Sequence, residues 1–255
     1  MIDFSVVIIS FNEEQNIRRC LDSIKDLTDD IVVVDSGSLD KTKDVCAEYN
    51  VRFFVNDFVD YSSQKNYANS LAKFDYVLSL DADECLSPEL AKSISEIKKS
   101  DTNIAYTFNR LNFHCGKAVR FCGWYPDKKE RFWNRHSGQW SGTIHEKYVF
   151  RKQPDFVHLK GDLLHYTYNS KEEHIRQAKK FACLNAEQDF KSGKKTFFLM
   201  PYITYFLRFV TVFLVKQGIL DGKTGFFIAK ITAYATFLRK KQLYDLWKNK
   251  NLKKC

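Results

Sequence analysis

Four short runs within the first ninety residues constrain this 255-residue chain more than any other feature. FSVVIIS (4–10), DIVVVDSGS (30–38), VRFFV (51–55) and YVLSLDADE (76–84) are near-continuous apolar stretches, most of them ending in polar residues. Runs of this length, rich in β-branched residues, predict four strands, the first two of them buried. Between them the apolar residues change to helical spacing. Ile17, Cys20, Leu21 and Ile24 follow Asn12, which is expected to cap a helix. Asp40 is expected to cap the next, with Val45 and Tyr49 inward, and SSQKNYANSLAKF (62–74) reads as a third. Ser87-Pro88 starts a fourth, with Leu90, Ile94 and Ile97 on one face. Strands alternating with crossover helices predict an α/β fold around a mostly parallel sheet.

Such a sheet binds ligands beyond the carboxyl ends of its strands. Ser10 to Glu13, Asp35 to Ser38 and Asp81 to Glu84 each follow an apolar run, so they are expected at one sheet edge. Three carboxylates within the four residues Asp81 to Glu84 repel one another unless something holds them. Residues i and i+2 of an extended segment point the same way, so Asp81 and Asp83 are expected to share one guest. A divalent cation with hard oxygen ligands suits two such carboxylates. The spacing alone carries little, since a chain this long holds about one Asp-x-Asp pair by chance. Its position at a strand end, beside two other polar strand ends, gives it weight.

The seven cysteines form no CxxC pair, and His114, Cys115 and Cys122 have no second ligand pair at metal spacing. Reduced thiols of a cytoplasmic protein are the expectation. The opening MIDFSVVIIS lacks the basic segment and cleavage site of an export signal.

The net charge of +9 is unevenly spread. Residues 1–170 carry 22 Lys/Arg against 25 Asp/Glu, whereas residues 171–255 carry 18 against 6, a balance of +12. That last third reads as a polar helix (171–193) followed by TFFLMPYITYFLRFVTVFLV (196–215), twenty residues with one charge. The length matches a bilayer. Three features argue against a span: Arg208 at mid-segment, the polar stripe Thr204, Arg208 and Thr211, and lysines at both ends. GFFIAKITAYATFL (225–238) is shorter and interrupted by Lys230. Two apolar helices rimmed with lysine predict an interfacial membrane anchor, with a homodimer interface as the alternative. Basic residues alternating with apolar faces argue against nucleic acid as the partner.

Together, SVVIISFNEEQNI, IVVVDSGSLDKT and QKNYANSLAKFDYVLSLDADE resemble the glycosyltransferases of family 2, which have the GT-A fold. WYPDKKERFW (124–133), GTIHEKY (142–148) and GDLLHYTY (161–168) are similar to later features of the small bacterial members that build the lipopolysaccharide core. The resemblance implies a catalytic domain over 1–170, with a nucleotide-sugar half (1–90) and an acceptor half (91–170), and a helical, membrane-associating extension over 171–255. It implies an inverting, metal-dependent transfer from a nucleoside diphosphate sugar, a UDP-sugar first among them, to a lipid-linked saccharide. It also implies roles. Phe11 and Glu13 would lie at the base, Asp35 at the base edge, Lys65 near the diphosphate, Asp81 at the ribose, and Asp83 on Mg²⁺ or Mn²⁺. The catalytic base would be Glu146, with Asp127 as the alternative. His145 would position metal or diphosphate or pack in the core, and Trp124, Tyr125, Trp133 and Trp140 would stack on sugar or fill the core. A cytoplasmic enzyme, peripheral on the inner face of the plasma membrane, is the resulting expectation. A nucleotidyltransferase of related fold is one alternative, though SFNEEQNI lacks its glycine-rich phosphate loop. A catalytically inactive nucleotide-sugar-binding module is the other.

Overall fold

Strand β1 (Phe4–Ser10) is buried almost throughout, as an apolar run flanked by neighbours on both sides requires. The computed structural model describes residues 2–98, 103–142 and 146–252. Helix α1 (Ile17–Asp22), β2 (Ile31–Asp35), α2 (Thr42–Ala47), β3 (Arg52–Val55), α3 (Tyr61–Leu71) and β4 (Tyr76–Asp81) then alternate. Strands β1 to β4 pair in parallel in the order β3-β2-β1-β4, with Ser10 beside Asp35 and Ile9 beside Asp81. Sequence signals account for two of the helix starts, whereas α1 and α2 have no side-chain cap at their N-cap residues, Asn16 and Lys41. The Asp60 carboxylate accepts from the Ser63 amide (2.7 Å) and opens α3. Ser87 accepts from the Leu90 amide (3.2 Å) ahead of α4 (Pro88–Ser95), with Pro88 at its start.

The described residues fall into two compact units: those up to Leu111 with Asp127–Tyr166, and Asn112–Pro126 with those from Thr167 onward. In the first unit β5 (Glu84–Leu86), β6 (from Ile104), β8 (Asp127–Asn134) and β11 (from Asp155) extend the sheet to β3-β2-β1-β4-β8-β6-β11-β5. Strand β8 runs antiparallel to both β4 and β6. The result is the mostly parallel, helix-flanked α/β sheet expected of a GT-A fold. One core lies under α1 and α4, with Phe4, Ile8, Leu78, Leu90 and Phe132. The other, on the opposite face, holds Trp133, Trp140 and Tyr148, the last two on the hairpin β9 (Gly138–Ser141) and β10 (Lys147–Phe150).

In the second unit β7 (Lys117–Val119) pairs with the end of β6 at Asn112–His114. Three helices follow: α5 (Lys171–Lys191), α6 (Met200–Val210, running on as a π-turn to Val215) and α7 (Gly222–Leu252). Helix α7 is much longer than the apolar stretch 225–238 predicts, because the charged residues beyond it still continue the helix. Glycines make the bend before α7 possible: a Cβ on Gly225 would lie 1.8 Å from the Gly218 carbonyl oxygen.

Two local expectations fail. Asn12 caps no helix; it has a left-handed φ of 54°, and its side chain accepts from the Leu39 amide (2.9 Å). Asp83 is not in an extended strand, since Ala82 and Asp83 form a turn between β4 and β5.

Candidate active site

The carboxyl ends of the parallel strands enclose a cleft of about 610 Å³ in the first unit, within the range of small-molecule sites. Ser10, Phe11 and Glu13 follow β1; Ser36 follows β2; Phe58, Tyr61 and Gln64 follow β3; Asp81, Ala82 and Asp83 follow β4. Glu146 and His165 complete the lining. Hydrogen bonds lace the first two loops together: the Asn12 amide donates to Ser38 Oγ (2.7 Å) and the Glu13 amide to Thr42 Oγ1 (2.8 Å). That framework holds Phe11 at the rim with more than half its surface in water.

Buried cations hold the acidic cluster together. Lys65 is 2% exposed, and its ammonium bridges Asp81 (2.9 Å) and Glu146 (3.0 Å). Arg131, also buried, bridges Asp81 (2.9 Å) and Glu84 (3.2 Å), and Arg110 reaches Glu84 (3.2 Å) and Asp127 (2.8 Å). Burial alone would raise the Asp81 carboxyl, but the Lys65 and Arg131 charges outweigh it and hold the group far below the usual carboxylate range. Beside them, burial and the negative charge of Glu146 push the Tyr61 hydroxyl upward. His165 Nε2 lies 3.1 Å from Asp83 Oδ2, and the Tyr166 amide donates to the Asp83 carbonyl (3.0 Å).

Five of the residues assigned from sequence line this cleft: Phe11, Glu13, Asp81, Asp83 and Glu146. Three do not. Asp35 is buried, and its carboxylate accepts from Ser10 Oγ, Ser38 Oγ and the Gly37 and Ser38 amides (2.6–2.9 Å). These bonds tie the end of β2 to the loop that follows it. Lys65 sits behind the wall and is committed to two carboxylates. Asp127 is held by Arg110 and by Lys129 (3.0 Å), away from the lining. Trp133 and Trp140 are buried in the core and form no sugar platform. His145 lies outside the described residues.

Sequence reasoning missed Phe58, Tyr61, His165 and Arg131. Phe58 and Tyr61 follow the third apolar run, so the strand-end rule covered them. Arg131 and His165 stand in KKERFW and GDLLHYTY, where no apolar run marks a strand end.

Among the described residues no three His, Cys, Asp or Glu side chains form a ready-made metal cluster. The Asp83 carboxylate is an oxygen ligand of the kind Mg²⁺ or Mn²⁺ accepts, and the His165 imidazole paired with it is a nitrogen ligand open to Mn²⁺. The lining also carries the four acids Glu13, Asp81, Asp83 and Glu146 and neither Lys nor Arg.

The family model for glycosyl transferase family 2 matches residues 5–212. An uncharacterised glycosyltransferase of Rickettsia typhi is 32% identical, over 96% of this chain and 88% of its own. A lipopolysaccharide core biosynthesis glycosyltransferase of Rhizobium meliloti is 27% identical over 96% of this chain and 93% of that one. Among solved structures, Staphylococcus aureus TarS aligns over 87% of this chain and 46% of its own, at 15% identity and a TM-score of 0.44. The chain therefore belongs to glycosyl transferase family 2.

Proposed function

We propose that the cleft binds a nucleoside diphosphate sugar, a UDP-sugar first among candidates, and transfers the sugar with inversion to a hydroxyl of a lipid-linked saccharide. The observation that carries this is the convergence, in one cleft, of an exposed aromatic (Phe11), an ion-paired carboxylate (Asp81), the Asp83–His165 pair and Glu146. The Rhizobium meliloti relative, named for lipopolysaccharide core biosynthesis, supports an acceptor of that kind.

Phe11 offers a ring face to the base, and Glu13 lies beside it. Asp81, kept ionised by Lys65 and Arg131, accepts hydrogen bonds from ribose hydroxyls. Asp83 and His165 would hold Mg²⁺ or Mn²⁺, which when bound would neutralise charge on the departing diphosphate. Glu146, positioned by Lys65, takes the proton of the acceptor hydroxyl as its oxygen attacks the anomeric carbon. The bond from that carbon to the diphosphate breaks on the opposite face, and its electron pair leaves with the diphosphate. A soluble donor and a lipid-held acceptor meet only at a membrane surface, so this reading calls for a peripheral enzyme on the cytoplasmic face of the plasma membrane.

The test is a panel of nucleotide sugars incubated with the purified protein. Release of nucleoside diphosphate is expected with Mg²⁺ or Mn²⁺ and not with EDTA. Asp83→Ala is expected to lose that release at an unchanged unfolding midpoint, because Asp83 lies in a turn at the cleft wall. Release that survives both EDTA and Asp83→Ala contradicts the metal assignment; no release from any donor makes the chain an inactive binding module.

A further inference from the structure

Helix α6 is amphipathic in the wrong direction for a helix that meets only water. Tyr202, Ile203, Phe206 and Leu207, with Leu199 just before them, recur at helical spacing and are all exposed, Phe206 by 66%. A helix on a water-soluble surface turns such a stripe toward the core. Here Pro201 is the buried residue of the helix, and Val215, beyond it, is 72% exposed. Contiguous apolar surface of this extent marks an interaction site.

We infer that this outward face of α6 docks on an anionic lipid bilayer, lying in the interface with its apolar stripe in the acyl region. Five observations favour that occupant. Exposed Lys194 and Lys195 before α6, Arg208 within it and Lys216 after it ring the stripe with positive charge. Residues 171–255 balance at +12, so a second copy of this face would be repelled where anionic headgroups would be attracted. The two threonines are satisfied internally: Thr204 Oγ1 donates to the Met200 carbonyl (2.8 Å) and Thr211 Oγ1 to that of Leu207 (2.7 Å), so neither opposes insertion. Among the described residues no single helix is long and apolar enough to cross a membrane, and α6 and α7 meet at a 72° bend. The aromatic-lined hollow between them (Tyr202, Tyr205, Tyr234, Phe237) presents ring bodies with hydroxyl tips, the chemistry of a headgroup boundary.

This inference extends the proposed lipid-linked acceptor, and its test separates the two. The full chain is floated with vesicles of phosphatidylcholine alone or mixed with phosphatidylglycerol, at low salt and at about 1 M, where charge is screened beyond ~3 Å. Binding is expected to the anionic vesicles, with only partial release at high salt. Phe206→Glu with Leu207→Glu is expected to lower the bound fraction at least tenfold; Phe206→Ser with Leu207→Ser removes apolar area without adding negative charge and is expected to weaken binding as well. Both variants keep nucleotide-sugar cleavage in free solution, because the cleft belongs to the first unit. Cleavage lost in the wild type, with flotation intact, refutes the enzymatic reading and leaves this one standing. Wild type that ignores anionic vesicles, variants that float as well as wild type, or a wild-type dimer that the Ser variant makes monomeric overturns the docking.

Discussion

The two units differ in what dominates them, although the second also buries Asp189 against Lys194 and Arg239 and the first exposes single apolar residues such as Leu39 and Val59. In the first, Lys65, Arg131 and Glu84 are almost fully buried, and each is matched by partners at 2.9–3.2 Å. In the second, lysines stand in water around the outward stripe of α6. Burying an ion is costly unless geometry and hydrogen bonds compensate, so ions inside a fold mark a place where a carboxylate must stay charged. Exposing large apolar residues is likewise unfavourable in water and persists where another phase covers them. The proposed charged guest of one unit and the proposed apolar guest of the other both rest on that contrast. Both readings follow from which residue type is in the unusual place.

The largest effect expected from breaking this contrast is at Arg131. Arg131→Leu leaves Asp81 and Glu84 buried without their shared cation, and removing one partner of such a set typically costs ~3–5 kcal/mol. A denaturant titration should show that loss. A loss below about 1 kcal/mol would mean that water or Lys65 takes over, and that the network is not the organising feature of the cleft.

The second unit has a buried titratable pair of its own. His174 Nδ1 lies 3.2 Å from His114 Nε2, and the His174 ring stacks on Tyr168 at 4.1 Å. Burial, with the nearby His114, lowers the His174 pKa to about 4; burial and then Lys171 lower that of His114. In the unfolded chain a histidine titrates near 6.5, so between that value and about 4 the unfolded state binds more protons than the folded one. Stability contributed by His174 is therefore fully present above about pH 6.5 and falls as pH drops toward 4, by up to about 3 kcal/mol. His174→Phe should flatten that part of the pH–stability curve; an unchanged curve would show the ring to be solvated.

The smallest effect is expected on the α6 stripe. Phe206→Ser should change folding stability in aqueous buffer by less than ~0.5 kcal/mol, since the ring is mostly in water already. A cost of several kcal/mol would show that the stripe packs against something in solution, and the contrast between the units would dissolve.

Much of this was legible in the chain itself. Strands β1, β2 and β4 are buried almost throughout, so each reads as an apolar run, while β3 at the sheet edge is half-buried to exposed; the strand-end rule then locates the cleft. Leu90 and Ile94, read as one helix face, are buried on α4, whereas Ile97, read on the same face, is buried just beyond the end of the helix. What was not legible depends on pairing across distance. Arg131 lies in β8, whose DKKERFWN gives no hint that it packs beside β4, 50 residues earlier in sequence from Asp81. The turn at Ala82 and Asp83 follows from β5 pairing with β11, which no local pattern announces. Asp35 was placed at a strand end from the sequence, but the Ser10, Gly37 and Ser38 donors that hold its carboxylate come from the end of β1 and the loop after β2 and were not legible locally.

The central claim is that Glu146, held by Lys65 in a cleft of paired carboxylates, removes the acceptor proton. Glu146→Gln keeps the side-chain shape and removes the proton acceptor, so the decisive measurement compares donor affinity with transfer rate in that one variant. The account predicts unchanged nucleotide-sugar affinity by calorimetry, with transfer slowed by ~10²–10⁴. Transfer at the wild-type rate, or a loss of affinity that fully accounts for the lost activity, would contradict it.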